Sequence, residues 1–330
     1  MKKFLLIISM LILLLLSACQ DETRSSQTKD QNPNTEFGDL FITIATGGTS
    51  GVYYPLGAGI GTILEEELGA NTSVQATQAS VENVNLVLTN RAEIAFITGD
   101  TAYQAYHGIG SFEEDGAKED LQAISSLYPN YLHIVTTENS DIETFHDLKG
   151  KKVAVGAPNS GTELAARVLF EGHGMSYDDI SPDYLSFAES VEQMKNGLID
   201  AAILSSGIPN SGLMDLDTTH GIKLIPIESD AMEYLTENYP YLNETVIPAN
   251  SYSIDIDVPA LNITNALIVN KDLTTDEVYE ITKAIYENLD QLVDAHSAAK
   301  DIKLDRATEG LSIPLHPGAE KYFKEVGVLE

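Results

Sequence analysis

The chain has 330 residues, with 50 Asp or Glu against 19 Lys or Arg, so its formal net charge is −31 at neutral pH. So few basic residues exclude a basic patch of the kind that binds nucleic acid or an anionic lipid surface. With a single cysteine and seven histidines that form no local cluster, we expect no disulfide, no bound metal and no cofactor.

The first 39 residues indicate an export signal followed by a tether. Residues 1–18 combine two lysines with an apolar run that is too short for a transmembrane span. They end in LSAC at Cys19, which is similar to a bacterial lipobox, where the peptide is cut before the cysteine and lipid is attached to the thiol. An ordinary secretory signal is the alternative. Residues 19–39 are polar and aperiodic, as flexible linkers are, so we expect a lipid-anchored protein on the outer face of the cell membrane.

Between residue 40 and about residue 125, short apolar runs alternate with helical segments. The strand-like runs are LFITIAT (40–46), SVQATQA (73–79), EIAFIT (93–98) and a longer stretch at 121–137, which Pro129 interrupts. Helices are predicted at 52–68, 80–90 and 100–108. Short buried strands that alternate with helices indicate a mainly parallel sheet covered on both faces.

The alternation starts again after about residue 140. The second block consists of a turn and strand at 148–158, helices at 160–174 and 190–197, and strands at 199–206 and 222–227. A further helix is predicted at 274–296, where Thr274 and Glu277 form a capping box. Its apolar stripe consists of Val278, Ile281, Ile285, Leu289 and Leu292.

Two α/β blocks of similar size predict a bilobed clamshell. Lobe 1 comprises residues 40–136 plus 250–330, and lobe 2 comprises residues 137–249. Strands that cross between the lobes, near Thr136–Ser140 and near Pro248–Tyr252, are expected to absorb the bend as the lobes close.

Small polar residues follow the predicted strands at five junctions with helices. These junctions are Thr46–Gly51, Gln78–Ser80 with Asn83 one turn on, Gly99–Thr101, Gly156–Glu163 and Ser205–Gly207. Any one of them is explained by helix capping, and Ser160 with Glu163 fits a capping box. Ligands of α/β sheets, however, bind at the carboxyl ends of strands, so five such junctions could meet in one cleft.

The chain resembles solute-binding proteins of TRAP transporters, in the TAXI family (TRAP-associated extracytoplasmic immunogenic proteins). The resemblance is carried by ATGGTSGVYYPLG (45–57), QASVENVNLV (78–87), AEIAFITGDTAYQAYHG (92–108), LKGKKVAVGAPNSGTELAARVL (148–169) and GIPNSGLMDL (207–216), with 247–273 also fitting. It implies a type II periplasmic-binding-protein fold, a small organic anion as ligand and a TRAP permease as partner, with fused small and large subunits. Family members are linked to glutamate, glutamine and 2-oxo or dicarboxylic acids.

The five strand-to-helix junctions and the resemblance to the TAXI family together give a set of expected ligand-binding residues. They are Thr46, Gly47, Gly48, Ser50, Tyr53, Tyr54, Gln78, Ser80, Asn83, Asp100, Tyr128, Ser160, Gly161, Thr162, Ser206 and Gly207. The glycine loop lets backbone N–H groups approach a ligand, and the start of the helix after Ser160 suits a carboxylate. Asp100 is equally explained as a helix cap, and Arg91 and Arg167 as residues on helix surfaces.

Other functions fit the sequence less well. The same fold and lipid anchor would serve an ABC importer or a sensor, and this alternative stays open. A secreted enzyme is remote. The glycines at 57–61 have the wrong spacing for a dinucleotide fingerprint, and no G-x-S-x-G occurs. We therefore expect a monomeric binding protein that performs no chemistry.

Overall fold

The structure is a computed structural model that describes residues 40–330. In this part of the chain, ten strands form one sheet and ten α-helices cover it. The strands are β1 Phe41–Ala45, β2 Asn71–Gln75, β3 Ile94–Thr98, β4 Leu121–Thr137, β5 Lys152–Ala154, β6 Ser181–Asp183, β7 Ala201–Ser206, β8 Ile222–Leu224, β9 Leu242–Ile247 and β10 Val258–Asn270. The helices are α1 Tyr53–Leu68, α2 Ser80–Leu88, α3 Gly99–His107, α4 Gly161–Gly172, α5 Phe187–Lys195, α6 Ser211–His220, α7 Ser229–Asn238, α8 Thr275–Glu287, α9 Leu289–Ala295 and α10 Pro317–Glu325.

The sheet has the strand order β2-β1-β3-β10-β4-β7-β5-β6, and β8 and β9 pair with β4 and β10 respectively. The pairs of β1 with β2 and β3, and of β5 with β6 and β7, are parallel. The long central strands β4 and β10 are antiparallel to each other and to their other neighbours. The sheet is therefore mixed, and the expectation of a mainly parallel sheet was wrong for its centre.

Strands β1, β2 and β3 lie on one side of the two long central strands and define the first half of the molecule, and β5, β6 and β7 lie on the other side and define the second half. The long strands β4 and β10 belong to both halves. The first part of β4 pairs with β10, and its second part pairs with β7 from Tyr131 to Thr136. Strand β10 pairs with β3 from Asn265 to Ile268 and with β9 from Val258 to Ile263. The pairing thus changes near residues 129–131 and 262–265. The segments expected to bend lie elsewhere, at the end of β4 and between β9 and β10.

Each half has apolar side chains on both faces of its sheet. In the first half, Ile44 and Phe96 pack in one cluster, whereas Ala45 and Ile97, their neighbours in sequence, pack in another. The second half repeats this division, since Ile134 and Ile203 pack apart from Val135, Ala202 and Leu204. Successive side chains of a strand point to opposite faces. Because both faces of the sheet are buried, both sets of side chains along a strand are apolar, which explains the continuous apolar runs in the sequence.

A β-bulge interrupts the pairing of β4 with β10. Thr264 pairs with Pro129 and Ala266 pairs with Ser126, so β4 has one extra residue at this point. Proline, which has no backbone N–H, is tolerated at such an irregularity, and β4 continues through it. The bulge lies at Tyr128, one of the expected ligand-binding residues.

The helix predicted at 274–296 is confirmed in its stripe and its cap but is divided in two. The side chains of Thr274 and Glu277 form the capping box, and the stripe residues are buried except Leu289, which is partly buried. At Asn288 the backbone leaves the helical conformation (φ −125°, ψ 30°), and its Nδ2 donates to Ala284 O at 2.9 Å. An asparagine side chain competes in this way with the backbone bonds of a helix.

Candidate ligand-binding cleft

A cavity lies between the two halves, where helices from both begin. About 60 Å³ of it is open to the centres of water molecules. The lining residues are Gly47, Gly48, Gly51, Val52, Tyr53, Thr77, Gln78, Ala79, Ser80, Thr98, Tyr128, Asn130, Ala157, Ser160, Gly161, Thr162, Ser186, Phe187, Ser205 and Ser206.

The starts of four helices line this cavity. They are those of α1 at Val52 and Tyr53, α2 at Ala79 and Ser80, α4 at 160–162, and α5 at Ser186 and Phe187. The first backbone N–H groups of a helix have no carbonyl of their own helix to bind, and the helix dipole makes this end positive. Among residues 40–330, no Lys, Arg, His, Asp or Glu lines the cavity. At the start of α2, the N–H groups of Val81 and Glu82 already donate to Asn159 O. The other helix starts offer neutral hydrogen-bond donors, and all four contribute a positive potential, which suits an anion.

The hydroxyl of Ser160 caps helix α4. Its Oγ accepts from Glu163 N at 3.1 Å and donates to Ala157 O at 2.7 Å. The expected capping box is only half formed, because the carboxylate of Glu163 pairs instead with Arg167 at 2.7 Å. Since the Ser160 hydroxyl already has both partners, the free donors at this helix start are the N–H groups of Gly161 and Thr162.

Hydrogen bonds behind the cavity fix two of its aromatic walls. Tyr53 OH donates to Asn265 Oδ1 at 2.6 Å, and Asn265 Nδ2 donates to Tyr128 O at 2.8 Å and to Asn130 Oδ1 at 2.9 Å. Asn130 Nδ2 in turn donates to Ser205 O at 3.1 Å. This network joins β10, β4, β7 and α1, so it ties the walls of both halves together.

Tyr128 lines the cavity, and its buried hydroxyl has no partner among the described residues. Tyr128 is 1% exposed, and its OH forms no hydrogen bond within residues 40–330. Burial, and then the neighbouring Tyr53, raises the pKa of Tyr128 well above its ordinary value. Burial, and then the charge of Asp100, also raises the pKa of Tyr53. Both phenols therefore stay protonated, and the Tyr128 hydroxyl is a donor that lacks a partner within the described residues.

Two of the expected residues support the glycine loop from behind. Thr46 Oγ1 donates to Gln75 O at 2.7 Å, and Thr46 O accepts from Asn83 Nδ2 at 2.6 Å. Thr77 Oγ1 lies 2.9 Å from Thr46 O, and it accepts from Ala79 N at 2.9 Å. The predicted strand at 73–79 therefore ends at Gln75, because Thr77 turns the chain into the cavity wall.

Contacts between the halves surround the cavity. Asn159 O accepts from Val81 N at 3.2 Å and from Glu82 N at 3.3 Å, and Ser211 Oγ donates to Ser50 O at 2.9 Å. A Cβ at Gly161 would collide with Thr98 Oγ1 and would lie 2.7 Å from Ser80 Oγ. Only glycine at position 161 lets the start of α4 lie this close to Thr98 and Ser80. The two halves are therefore in contact at this point.

Asp100 lies outside the lining although it is buried. Its Oδ1 accepts from Thr101 N at 2.7 Å, and its Oδ2 has no partner within the described part of the chain. Burial raises the pKa of Asp100 to about 6. The charge of Asp100 contributes to the raised pKa of Tyr53 and of Tyr241. Because Tyr53 lines the cavity, Asp100 influences the electrostatics of the cavity without lining it.

Most of the expected residues line the cavity. Those that do are Gly47, Gly48, Tyr53, Gln78, Ser80, Tyr128, Ser160, Gly161, Thr162 and Ser206. Those that do not are Thr46, Ser50, Tyr54, Asn83, Asp100 and Gly207. Of these, Gly207 packs on Tyr128 and Val52, and Ser50 contacts Ser211. Arg167 is occupied by Glu163 and by the Tyr177 ring, whose centroid is 4.7 Å away, and Arg91 is exposed.

Sequence reasoning did not select Thr77, Thr98, Asn130, Ser186 or Phe187 for this lining. Ser186 carried a usable signal, because it forms a capping box with Glu189 at the start of α5. The pair of Asn130 and Asn265 carried none. The two residues are 135 positions apart and meet only through the pairing of β4 with β10.

Comparison with known proteins identifies the fold and the family. The predicted type II periplasmic-binding-protein fold is confirmed. PhnD1 of Prochlorococcus marinus, solved with methylphosphonate, matches with a TM-score of 0.56 and 12% identity over 88% of this chain and 99% of that chain. A binding protein component of an ABC phosphonate transporter from Pseudomonas aeruginosa matches with a TM-score of 0.51 and 10% identity over 80% of each chain.

The chain belongs to the NMT1-like family, whose sequence model matches residues 44–327. One curated relative is a protein of Escherichia coli K12 that is named for the binding of aliphatic sulfonates. It is 40% identical over 68 residues, which span 21% of this chain and 21% of the relative. The match thus covers about a fifth of that protein's length.

The membrane-related expectations fall mainly on residues that the structure does not describe. The signal peptide, Cys19 and the tether all lie within residues 1–39, outside the described range. Among residues 40–330, no helix has the length and apolar character needed to cross a bilayer.

Proposed function

We propose that the protein is the extracytoplasmic solute-binding component of a membrane transporter, and that its cleft captures a small organic anion. The observation that carries this proposal is the meeting of four helix starts, from both halves, around a cavity lined by no charged side chain. Helix N-termini with free N–H groups bind anions, and burial strengthens the interaction.

Capture proceeds by closure of two lobes, 40–136 with 250–330 and 137–249. The strands β4 and β10 connect the lobes, so a bend where their pairing changes would move one lobe relative to the other. Gly161, Thr162 and the glycine loop at Gly47 line the same cavity. In the closed form, the ligand would be enclosed between them. The transporter would then recognise the closed form, and no chemical step is involved.

The partner that the similar proteins favour is an ABC importer. The related fold from Pseudomonas aeruginosa is named as part of such a system, and relatives are named for sulfonates or solved with a phosphonate. The resemblance of residues 45–57 to the TAXI family supports a TRAP permease as the second candidate. Uptake into cells depleted of ATP, with the ion gradient maintained, separates the two: transport through an ABC importer stops, and transport through a TRAP permease continues.

Anchoring through lipid on Cys19 is part of the same proposal. Lipid on this thiol, followed by the tether at 20–39, would hold the binding lobes close to the permease. Replacing Cys19 by serine is expected to move the protein from the membrane fraction to the soluble fraction. Retention of Cys19→Ser in the membrane fraction would contradict the lipid anchor.

Thermal unfolding with added ligands tests the binding function. The purified protein is unfolded and refolded to remove ligand acquired in the cell, then heated with a panel of organic acids, amino acids and sugars. A ligand at about 100 times its Kd adds about 2.7 kcal/mol. For a body of about 290 residues, whose entropy of unfolding is about 0.6 kcal/mol/K, that raises Tm by roughly 4–5 °C.

A matched pair of variants locates the effect in the cleft. Gly161→Val places a side chain against Thr98 and Ser80 and should abolish the ligand-induced rise in Tm. Ala58→Val introduces the same side chain at an exposed position of α1 and should leave the rise intact. Equal responses of the two variants, or a response to sugars alone, would contradict an anion site in the cleft.

A further inference from the structure

We infer that closing the two halves binds a proton at the buried carboxyl of Asp100, so that mildly acidic surroundings favour the closed arrangement. This inference rests on the lobe closure proposed above, but it does not depend on which ligand the cleft takes. It concerns a group outside the cavity lining, and it adds the binding of a proton to the capture of ligand.

Asp100 is a buried carboxyl with one free oxygen. The residue is 1% exposed, and its Oδ1 accepts from Thr101 N at 2.7 Å, whereas its Oδ2 has no partner among residues 40–330. A carboxylate accepts hydrogen bonds at both oxygens, and burying its charge without enough partners is costly. A proton on the carboxyl removes the charge and with it most of this cost.

Residues of the second half cover the place where Asp100 lies. Tyr241 packs on the second half's apolar cluster, and its ring centroid is 5.8 Å from that of Tyr103, which shares helix α3 with Asp100. The charge of Asp100 also acts on Tyr241. At the start of α4, Gly161 lies so close to Thr98 that a Cβ would collide with its hydroxyl. Opening of the halves would therefore withdraw these groups and admit water to the carboxyl.

Burial outweighs the other influences on this carboxyl. It raises the pKa of Asp100 from 3.8 to about 6, although hydrogen bonds, including that from Thr101 N, oppose the rise. Asp100 also lies in the first turn of α3, where the helix dipole favours a carboxylate by typically less than about one pKa unit. In water, as in the open arrangement, an aspartate has a pKa of about 3.9. Closure therefore takes up a proton between the two values.

Among the described residues, Asp100 has no cationic partner that could replace the proton. Strands β3 and β10, which contact α3, contain no titratable residue. The titratable groups on the nearest turns of the other elements are Tyr53 on α1, Glu82 on α2, Glu163 and Arg167 on α4, Tyr241 before β9, and Tyr103, Tyr106 and His107 on α3 itself. Arg167 is paired with Glu163 at 2.7 Å, and His107 is exposed. The remaining groups are phenols and a carboxylate, which do not support a negative charge as a cation would.

The proton and the ligand are expected to favour each other. The charge of Asp100 acts on Tyr53, which lines the cavity, so an anion in the cavity is within electrostatic reach of Asp100. Such an anion would oppose ionisation of the carboxyl. By linkage, protonation of Asp100 strengthens anion binding by the same factor. Closure is expected to be about tenfold more favourable at pH 5 than at pH 7.

A disulfide between the halves provides a closed reference for the test. A Cβ at Gly212 would lie 3.9 Å from the Cβ of Ser50, which is within the range of disulfide bonds. Ser50→Cys with Gly212→Cys, in a Cys19→Ser chain, leaves only these two thiols, because the sequence has a single cysteine. The oxidised form holds the halves closed, and reduction releases them.

Small-angle scattering without ligand measures closure. The Cys19→Ser chain should approach the radius of gyration of the closed reference at pH 5 and expand as the pH rises through about 6. Asp100→Asn in this chain should stay compact up to pH 8, whereas Asp115→Asn, at an exposed position, should expand like its parent. A radius independent of pH, or an equal expansion in Asp100→Asn, would overturn the inference.

These outcomes are separate from those of the ligand panel. Since no ligand is added, a radius that does not change with pH leaves the proposed anion capture standing. Conversely, a failure of all organic acids to raise Tm would overturn anion capture and leave the link between closure and protonation standing.

Infrared spectroscopy of the closed reference locates the proton. A protonated carboxyl has a C=O stretch that a carboxylate lacks, so the spectra with and without Asp100→Asn should differ by one such band at pH 5. This band should decline as the pH rises through about 6. Absence of the band from the difference spectrum at pH 5 would show that Asp100 is ionised in the closed arrangement and would overturn the inference.

Discussion

At the scale of single residues, neighbours in the cleft perform different tasks. The hydroxyl of Ser160 is used fully inside the protein, whereas the hydroxyl of Tyr128 has no partner in the described structure. Both were expected to contact ligand, Ser160 because it precedes a predicted helix and Tyr128 because of the resemblance to the TAXI family. The difference follows from position, because an N-cap serine satisfies its own helix and a buried tyrosine must find a partner elsewhere.

The replacement Ser160→Ala separates these tasks. It should lower the free energy of unfolding by about 1 kcal/mol, because helix α4 loses its cap. Ligand affinity should change less than in Tyr128→Phe, since the N–H groups of Gly161 and Thr162 remain. Urea unfolding and calorimetry on both variants give the comparison, and a larger loss of affinity in Ser160→Ala would show that its hydroxyl binds ligand.

The buried carboxyl of Asp100 makes stability depend on pH. Burial raises its pKa from 3.8 to about 6, so the protonated form is favoured in the folded state. Its favourable contribution is present below pH 3.8 and is lost as the pH rises through about 6. The difference between the two pKa values corresponds to about 3 kcal/mol at neutral pH.

Asp100→Asn should therefore gain stability relative to the unmodified protein as the pH rises from 4 to 7, by up to about 3 kcal/mol. Urea unfolding at several pH values measures this difference. Asp115→Asn, at an exposed position, serves as the control and should show no such trend. If the free energies of unfolding of Asp100→Asn and of the unmodified protein differ by the same amount at every pH, the raised pKa of Asp100 is contradicted.

At the scale of elements, His133 links β4 to the segment before β10. Its Nδ1 donates to Tyr131 O at 2.9 Å, so its Nε2, 3.2 Å from Tyr252 OH, accepts. Tyr252 OH accepts in turn from Asn210 N at 3.1 Å, at the start of α6. This chain of bonds requires a neutral imidazole, and burial lowers the pKa of His133 to about 4.

Acidification should weaken the protein through His133. Because its folded pKa lies below the ordinary value of 6.5, its favourable contribution is present above pH 6.5 and is lost as the pH falls through about 4. His133→Gln should lower stability at pH 7 but reduce the loss between pH 6.5 and pH 4. Denaturant unfolding across this range provides the measurement, and an unreduced acid loss in the variant would exclude His133 as its source.

At the scale of the whole molecule, the proposed closure would depend on glycines at the contacts between the halves. A Cβ at Gly207 would come within 2.7 Å of the Tyr128 ring, and one at Gly161 would collide with Thr98. Binding of ligand should reduce the radius of gyration of the unmodified protein, measured by small-angle scattering. Gly207→Val should prevent this reduction and weaken binding, and compaction equal to that of the unmodified protein would count against closure at this contact.

The sequence by itself predicted the class of fold, many of the strands and helices up to residue 206, and half of the residues that line the cavity. Local signals sufficed there: apolar runs marked the strands, and small polar residues marked the starts of α1, α2 and α4. The antiparallel course of β4 and β10 was decided by tertiary structure. So were the bulge at Tyr128 and the bond between Asn130 and Asn265, because strand pairing over more than a hundred residues leaves no local pattern. Packing likewise decided that the Ser160 hydroxyl is bonded within its own helix start, whereas the Tyr128 hydroxyl has no partner among the described residues.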